Sequence, residues 1–337
     1  MTSLKAPLKS IHPAVLLTMV AAALTTSVAS PATAQDKYPA SPIRLVVGSP
    51  AGGSSTDTFA RLLAQKIAPA LGVNIVADNR PGANANIAAE LVAKATPNGY
   101  TLLFNTSGVV LSIALGEPLN YNLLTDLAPV ALFTAAPYVI MVRPAVPANK
   151  AAELIELLRA SPGKLSYGSA GTGNVTHLGM MLFLDANKLN ALHVPYKGIA
   201  PALVDLTGGR LDLAMSSVVS AAPLIIGKRL RGLALTGLRR SSSLPDLPTL
   251  NESGMKGFEV SGWYGLMAPA KTPQAIVNRL NGEVRKVLQD ADTLARLEQQ
   301  GAQPFGSSVE AYAAYLKSEL ERWGRLIKQS QQARPQL

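Results

Sequence analysis

The chain has 337 residues, 48% apolar and 15% charged, with three His and no Cys. The missing Cys excludes disulfides, thiolate-bound zinc, iron–sulfur clusters and cysteine nucleophiles, and three His, one of them His12, are too few for a His-rich metal site. The formal charge of +10 comes from Lys and Arg scattered along the chain rather than from a basic patch interleaved with aromatics, so nucleic acid is not an expected partner and a mild attraction for anions is all that it implies.

Residues 1–34 contain Lys5 and Lys9 but no acid, then an uncharged run over 14–29 and a small-x-small exit at Ala32-Thr33-Ala34. This is the pattern of a secretory signal peptide cleaved near Ala34, with an apolar part too short and too rich in Thr and Ser for a good membrane span. The mature protein is therefore expected in the periplasm. Ile43-Arg44-Leu45-Val46-Val47 reads as a buried strand that runs into Gly48-Ser49-Pro50-Ala51-Gly52-Gly53. A helix follows, with Phe59, Leu62, Leu63, Ile67 and Leu71 at three- and four-residue spacing. Residues 73–76 read as a second strand, 78–82 as a turn, a helix passes through Ile87, Leu91 and Val92, and 100–104 form a third strand after the stop signal Pro97-Asn98-Gly99. Strand–helix alternation predicts a parallel sheet with crossovers.

The pattern restarts at 137–142, a strand, followed by a helix over 151–159 and a short strand at 165–168. That strand leads into Ser169-Ala170-Gly171-Thr172-Gly173 and a helix through Leu178, Leu182 and Phe183. Strand 192–195, helix 201–206 and strands 211–215 and 230–235 complete the second set. Thr272-Pro273 predicts a capped helix start with Pro at the first helical position. Ser307-x-x-Glu310 predicts a capping box opening a long amphipathic helix with Val309, Tyr312, Leu316, Leu320, Trp323 and Ile327. The fold class is α/β: two lobes, each a mostly parallel sheet flanked by helices, and a helical tail that must pack on one of them.

Each half carries a strand, a Gly-rich loop and a helix start, at 49–57 and at 169–177. A helix N-terminus presents unpaired N–H groups and a partial positive charge, and glycines let that backbone approach a ligand. Two such cradles facing across a cleft suit a ligand with one or two carboxylates, at the C-terminal ends of the strands. Several enzyme motifs fail. Gly171-Thr172-Gly173 is followed by Thr176 where a dinucleotide fingerprint wants Gly, and neither Gly163-Lys164 nor Gly227-Lys228 precedes the Ser or Thr of a P-loop. No Gly-x-Ser-x-Gly elbow and no His-Glu-x-x-His is present. No cofactor is expected. Ser169, His177 and Asp212 form a Ser-His-Asp set without a supporting signature, which leaves an extracytoplasmic hydrolase or transferase as one alternative and a ligand-sensing partner of a signalling system as another.

The chain resembles the Bug family, the periplasmic solute receptors of the tripartite tricarboxylate transporter type. The resemblance rests on Pro50-Ala51-Gly52-Gly53-x-x-x-Asp57, Asn79-Arg80-Pro81-Gly82-Ala83, Pro97-x-Gly99-Tyr100-Thr101, Gly171-Thr172-Gly173-x-x-x-His177-Leu178, His193-Val194-Pro195-Tyr196-Lys197-Gly198 and Leu244-Pro245-Asp246-x-Pro248-Thr249. It implies a monomeric flytrap receptor, not an enzyme, that delivers a small carboxylate to membrane permease subunits. It also implies a double crossing between lobes: lobe 1 over 35–137, lobe 2 over 138–258, and a return to lobe 1 over 259–337. Carried over by motif, the first jaw is Gly52, Gly53, Ser54 and Thr56 with Asp57 in support. The second is Ala170, Gly171, Thr172 and Gly173 beside Asn174 and His177, with Ser107, Asp212 and Ser216 as wall residues. The chain departs from the family at Asn84-Ala85-Asn86, where members have a small Gly- or Ser-rich run. Trp263 and Tyr264 read as core or hinge packing, and Lys197 as a solvated loop residue.

Overall fold

A computed structural model describes residues 38–52 and 54–333, with residue 2; the expected signal peptide and Gly53 lie outside the described residues. Strand β1 (Ile43–Val47) is buried except at Arg44 and lies between β2 (Ile75–Asn79) and β3 (Thr101–Thr106), parallel to both. Helices α1 (Ser55–Leu71) and α2 (Asn86–Ala93) make the crossovers, and α3 (Ser107–Ala114) follows β3. β2 extends through Asp78 and Asn79, residues expected to turn. Both pair in the ladder with Val46 and Val47, and their side chains are engaged by Arg44 and by Asp57 respectively.

Strand β4 (Leu127–Val142) joins the two halves of the molecule. Its first part pairs antiparallel with β9 (Ser261–Pro269), which is inserted between β3 and β4. Its second part pairs antiparallel with β7 (Leu213–Ser217) and β8 (Arg231–Leu235). Beyond it, β5 (Ser166–Ser169) lies between β6 (Leu192–Pro195) and β7, parallel to both. The sheet is therefore mixed, parallel in its two outer parts and antiparallel in the middle, because the strands that pass between lobes run back along one another. Helices α4 (Ala151–Ala160), α5 (Val175–Ala186), α6 (Ile199–Thr207) and α7 (Val218–Ile226) flank the second half.

The C-terminal part adds α8 (Gln274–Val287), α9 (Ala291–Gln299), the short strand β10 (Gln303–Pro304) against β4, and the long helix α10 (Val309–Ala333). Two helix starts differ from expectation. Pro273 has ψ 135° and is itself the cap of α8, and the Thr272 hydroxyl is buried without a partner among the described residues. At α10, Ser308 rather than Ser307 caps, its Oγ accepting the Ala311 N–H at 3.1 Å; Ser307 Oγ instead accepts the Leu132 N–H at 3.0 Å, beside an irregularity in β4.

Helix α10 buries Tyr312, Leu316, Trp323 and Ile327 in the main core. Trp263 of β9 meets Tyr312 edge-on, with ring centroids 6.2 Å apart. Gly265 allows this approach, since a Cβ there would lie 2.6 Å from the Tyr312 hydroxyl. Glu319 is buried, and its carboxylate accepts the indole N–H of Trp263 at 2.9 Å, that of Trp323 at 3.2 Å and a guanidinium N–H of Arg322 at 3.1 Å. Glu319→Ala strands two buried indole donors and is expected to cost about 2–4 kcal/mol of unfolding free energy. Urea denaturation measures this, and a loss below about 0.5 kcal/mol, the scale of an ordinary surface change, contradicts it.

Candidate functional site

In each outer part of the sheet the strands are parallel, so their C-terminal ends share one edge of that part, and β1, β2, β3, β5, β6 and β7 hand the chain to a helix there. The result is a cavity of about 970 Å³ between the halves. The residues that open α1, α2, α3, α5, α6 and α7 (Ser54, Ala85, Thr106, Asn174, Gly198 and Ser217) all line it. Six helix N-termini thus direct partial positive charge and unpaired amides at one space. Among the described lining residues, Glu117 is the one carboxylate and Lys197 the one ammonium; both are exposed.

On the α1 side the loop is braced from beneath. Ser54 Oγ accepts the Asp57 N–H at 3.2 Å, a standard N-cap. The Asp57 carboxylate accepts the Gly52 N–H at 2.8 Å, Arg61 Nε at 2.9 Å and Asn79 Nδ2 at 2.8 Å. Asp57 is 3% exposed, so its acceptors are spent on the loop and none faces the cavity. Burial pushes its pKa up, but the hydrogen bonds from Arg61, Gly52 and Asn79, with the Arg61 charge, outweigh this and hold it below the ordinary carboxylate value.

The second loop is braced in the same way. The Ala170 N–H donates to Thr176 Oγ1 at 2.8 Å, the Gly171 N–H to Ser169 Oγ at 3.2 Å, and the Gly173 N–H to His177 Nδ1 at 3.2 Å. His177 stacks on His193, centroids 4.1 Å apart, and His193 Nε2 meets Ser169 Oγ at 2.7 Å. Burial lowers the His193 pKa. The glycine amides thus shape their loops. Among the described hydrogen bonds, the amides of Ser55, Thr172 and Val175 have no protein acceptor, and all three residues line the cavity.

Between the loops stands a strained turn. Ala83, Asn84 and Ala85 have φ of 45°, 52° and 76° after Gly82 at 127°, a left-handed run costing about 1–2 kcal/mol per residue. It is clamped by Asn86, whose Nδ2 donates to the Ala83 carbonyl at 2.7 Å and whose Oδ1 accepts the Tyr121 hydroxyl at 2.6 Å. Gly48 and Gly108 make room, since a Cβ would fall 2.2 Å from Ala85 Cβ and 2.7 Å from the Asn84 carbonyl oxygen. The strain places Asn84 Nδ2 3.4 Å from the Thr172 carbonyl, a hydrogen bond across the cleft. Strain of this kind collects at functional sites.

Of the residues singled out from the sequence, Gly52, Ser54, Thr56, Ser107, Ala170, Gly171, Thr172 and Asn174 line the cavity. Asp57, Gly173 and His177 lie behind them as supports. Asp212 and Ser216 are not brought to it. Asp212 accepts from Arg143 at 2.9 Å and from the Ser166 N–H at 2.9 Å, tying β7 to β5 and to the end of β4. Ser216 is buried, its hydroxyl without a partner among the described residues, while its neighbour Ser217 lines the cavity, as strand alternation requires. Sequence reasoning missed Asn84, Tyr138, Ser217 and the cavity-facing role of Tyr264. The signal for Tyr264 was its alternation with Trp263, whose side chain goes to the opposite, α10 side.

Residues 59–331 match the family described as Tripartite tricarboxylate transporter family receptor. The chain is 39% identical over 313 residues to a UPF0065 protein in the tcbD-tcbE intergenic region of Pseudomonas sp. (strain P51), covering 93% of each. It is similar to the structure of R. palustris Rpa4515 with adipate, at TM-score 0.84 and 34% identity over 87% of this chain and 98% of that one. MatC from Rhodopseudomonas palustris with bound malate superposes at TM-score 0.80 and 32% identity, covering 86% of this chain and 100% of that one.

Because the folded pKa of Asp57 is depressed, its contribution to stability is complete above the unfolded value near pH 4 and is lost as pH falls through the lower folded value. Asp57→Asn is expected to cost about 1–3 kcal/mol at pH 7. Denaturation midpoints taken from pH 7 down to pH 3 should show the gap to wild type narrowing below about pH 4; a gap constant over that range contradicts the assignment.

Proposed function

Since this chain belongs to the tripartite tricarboxylate transporter receptor family, we propose that it captures a small organic carboxylate in the cavity between its lobes and presents it to membrane permease subunits. The observation that carries this reading is the convergence of six helix N-termini on one cavity. An anion taken out of water needs compensating donors, and such a site supplies them without an opposing cation. In this reading the amides of Ser55, Thr172 and Val175 hold the carboxylate. Gly52, Ser54, Thr56, Ser107, Ala170, Gly171 and Asn174 form the walls, and Asp57, Gly173 and His177 hold the loops in shape. The relatives solved with adipate and with malate support the ligand class.

The lobes would be 35–137 with 259–337, and 138–258, joined through β4 and the segment before β9. The ligand favours closure only in proportion to its tighter binding to the closed form, and the hinge is the pair of interlobe passages. Residues 1–34 serve as the export leader and the mature chain works in the periplasm as a monomer. The family acts as a transporter receptor and not as an enzyme. Ser169 fits that role. Its hydroxyl meets His193 but is fully buried and bonded into the loop, out of reach of a substrate.

Thermal unfolding with a panel of mono-, di- and tricarboxylates tests the reading. A bound acid at a hundredfold excess over its Kd should raise the unfolding free energy by about 2.7 kcal/mol, visible as a higher Tm, and should be recovered chemically unchanged. A panel in which no carboxylate moves the transition overturns it.

A further inference from the structure

Below the amide cradles, three hydroxyls meet at the floor of the cavity. Ser55 opens α1, Tyr264 lies on β9 and Tyr138 on β4; all line the cavity, yet they are only 8%, 3% and 5% exposed. Ser55 Oγ and the Tyr264 hydroxyl are hydrogen-bonded, 2.5 Å apart, and the Tyr138 hydroxyl lies beside that of Tyr264. The backbone of Gly262 passes against both phenols: a Cβ there would lie 2.7 Å from the Tyr138 oxygen and 3.2 Å from that of Tyr264. Phe59 and Phe104 hold the Tyr264 ring from the lobe 1 side, at centroid distances of 5.0 and 6.0 Å. The three oxygens are therefore fixed in place before any ligand arrives.

Three hydroxyls carry three hydrogens, and the Ser55–Tyr264 bond uses one of them. Even if Tyr138 also donates to Tyr264, at least one of the three hydrogens has no acceptor among the described residues. All three residues line the cavity. Burial pushes the Tyr264 pKa up to about 12 and that of Tyr138 above its ordinary value, so both phenols stay protonated at neutral pH. An unspent donor in so buried a place is costly until something accepts from it. An oxygen does so. A methylene offers nothing, and an ammonium group brings only more hydrogens.

Ser55 also bears one of the amides assigned above to the carboxylate, so the acceptor read by the chain sits close beside that group. We propose that the Ser55–Tyr264–Tyr138 chain recognises an oxygen on the carbon next to the ligand's carboxyl group, so that 2-hydroxy and 2-oxo acids are the preferred substrates. This rests on the carboxylate reading and narrows it. The three residues lie on α1, on β9 and on β4, the strand that joins the halves, so the chemistry they read is felt where the lobes join.

Isothermal titration of the purified protein with matched acids tests the proposal: butanoate against 2-hydroxybutanoate, succinate against malate, and adipate against 2-hydroxyadipate. The 2-hydroxy member of a pair should bind about tenfold more tightly, the scale of one good hydrogen bond. Tyr264→Phe and Tyr138→Phe, which keep the rings and hence the packing, should erase that preference, bringing the two Kd values of each pair within about twofold of each other. Their Tm without ligand reports that they fold. Equal affinities within every pair, or Phe variants that weaken both members alike, overturn the proposal while the carboxylate reading stands. Failure of every acid to bind overturns both.

Discussion

Under the proposed function a carboxylate that leaves water must find hydrogen-bond donors already in position, and the fold offers it backbone ones. The parallel strands of the two halves run in opposite directions, so their C-terminal ends face one another across the cavity, and six of the turns that follow start helices there. Each start leaves N–H groups that its own helix cannot use. Much of the remaining structure keeps these turns rigid. Asp57 draws in Gly52, Thr176 and His177 draw in Ala170 and Gly173, and Asn86 clamps the strained residues 83–85. The internal partners of the glycine amides lower the number of donors offered to a ligand but fix where the rest point, which is the cheaper arrangement when preorganisation sets affinity.

The passage between the lobes is also the floor of the site. β4, which joins the halves, and β9 beside it have cavity-facing side chains that include Tyr138 and Tyr264. On the other face of β9, Trp263 packs on α10 and donates to buried Glu319. One strand therefore couples the ligand floor to the C-terminal helix. The helical tail, without a sheet of its own, gains its core from α3, α5 and β4 rather than from a separate unit.

Much of this was legible in the sequence. The strands at 43–47 and 192–195, the helix over 151–159 and the two Gly-rich loops follow from apolar spacing and glycine placement, and the structure places them nearly where the pattern does. The first ten residues of β4 were not legible. They contain Pro129 and irregular pairing, and a continuous apolar run bears no period that separates strand from helix. The cap of α10 slipped by one residue because Ser307 and Ser308 are adjacent and only the tertiary bond from Leu132 decides between them. In the site, Asp212 and Ser216 were expected as walls, but an arginine partner and strand alternation take them elsewhere. The left-handed run at 83–85 has no signature in Ala-Asn-Ala. It exists because glycines distant in sequence, at 48 and 108, leave space for it.

The central claim is that amides from both halves of the molecule act on one anion. Amide proton and nitrogen chemical shifts, followed by NMR while the protein is titrated with its tightest-binding acid, test this most directly. The account predicts that Ser55, Thr172 and Val175 shift together along a single binding curve. Shifts confined to one half, or centred on the separate hollow lined by Met255, Phe258, Arg322 and Arg325, would contradict it.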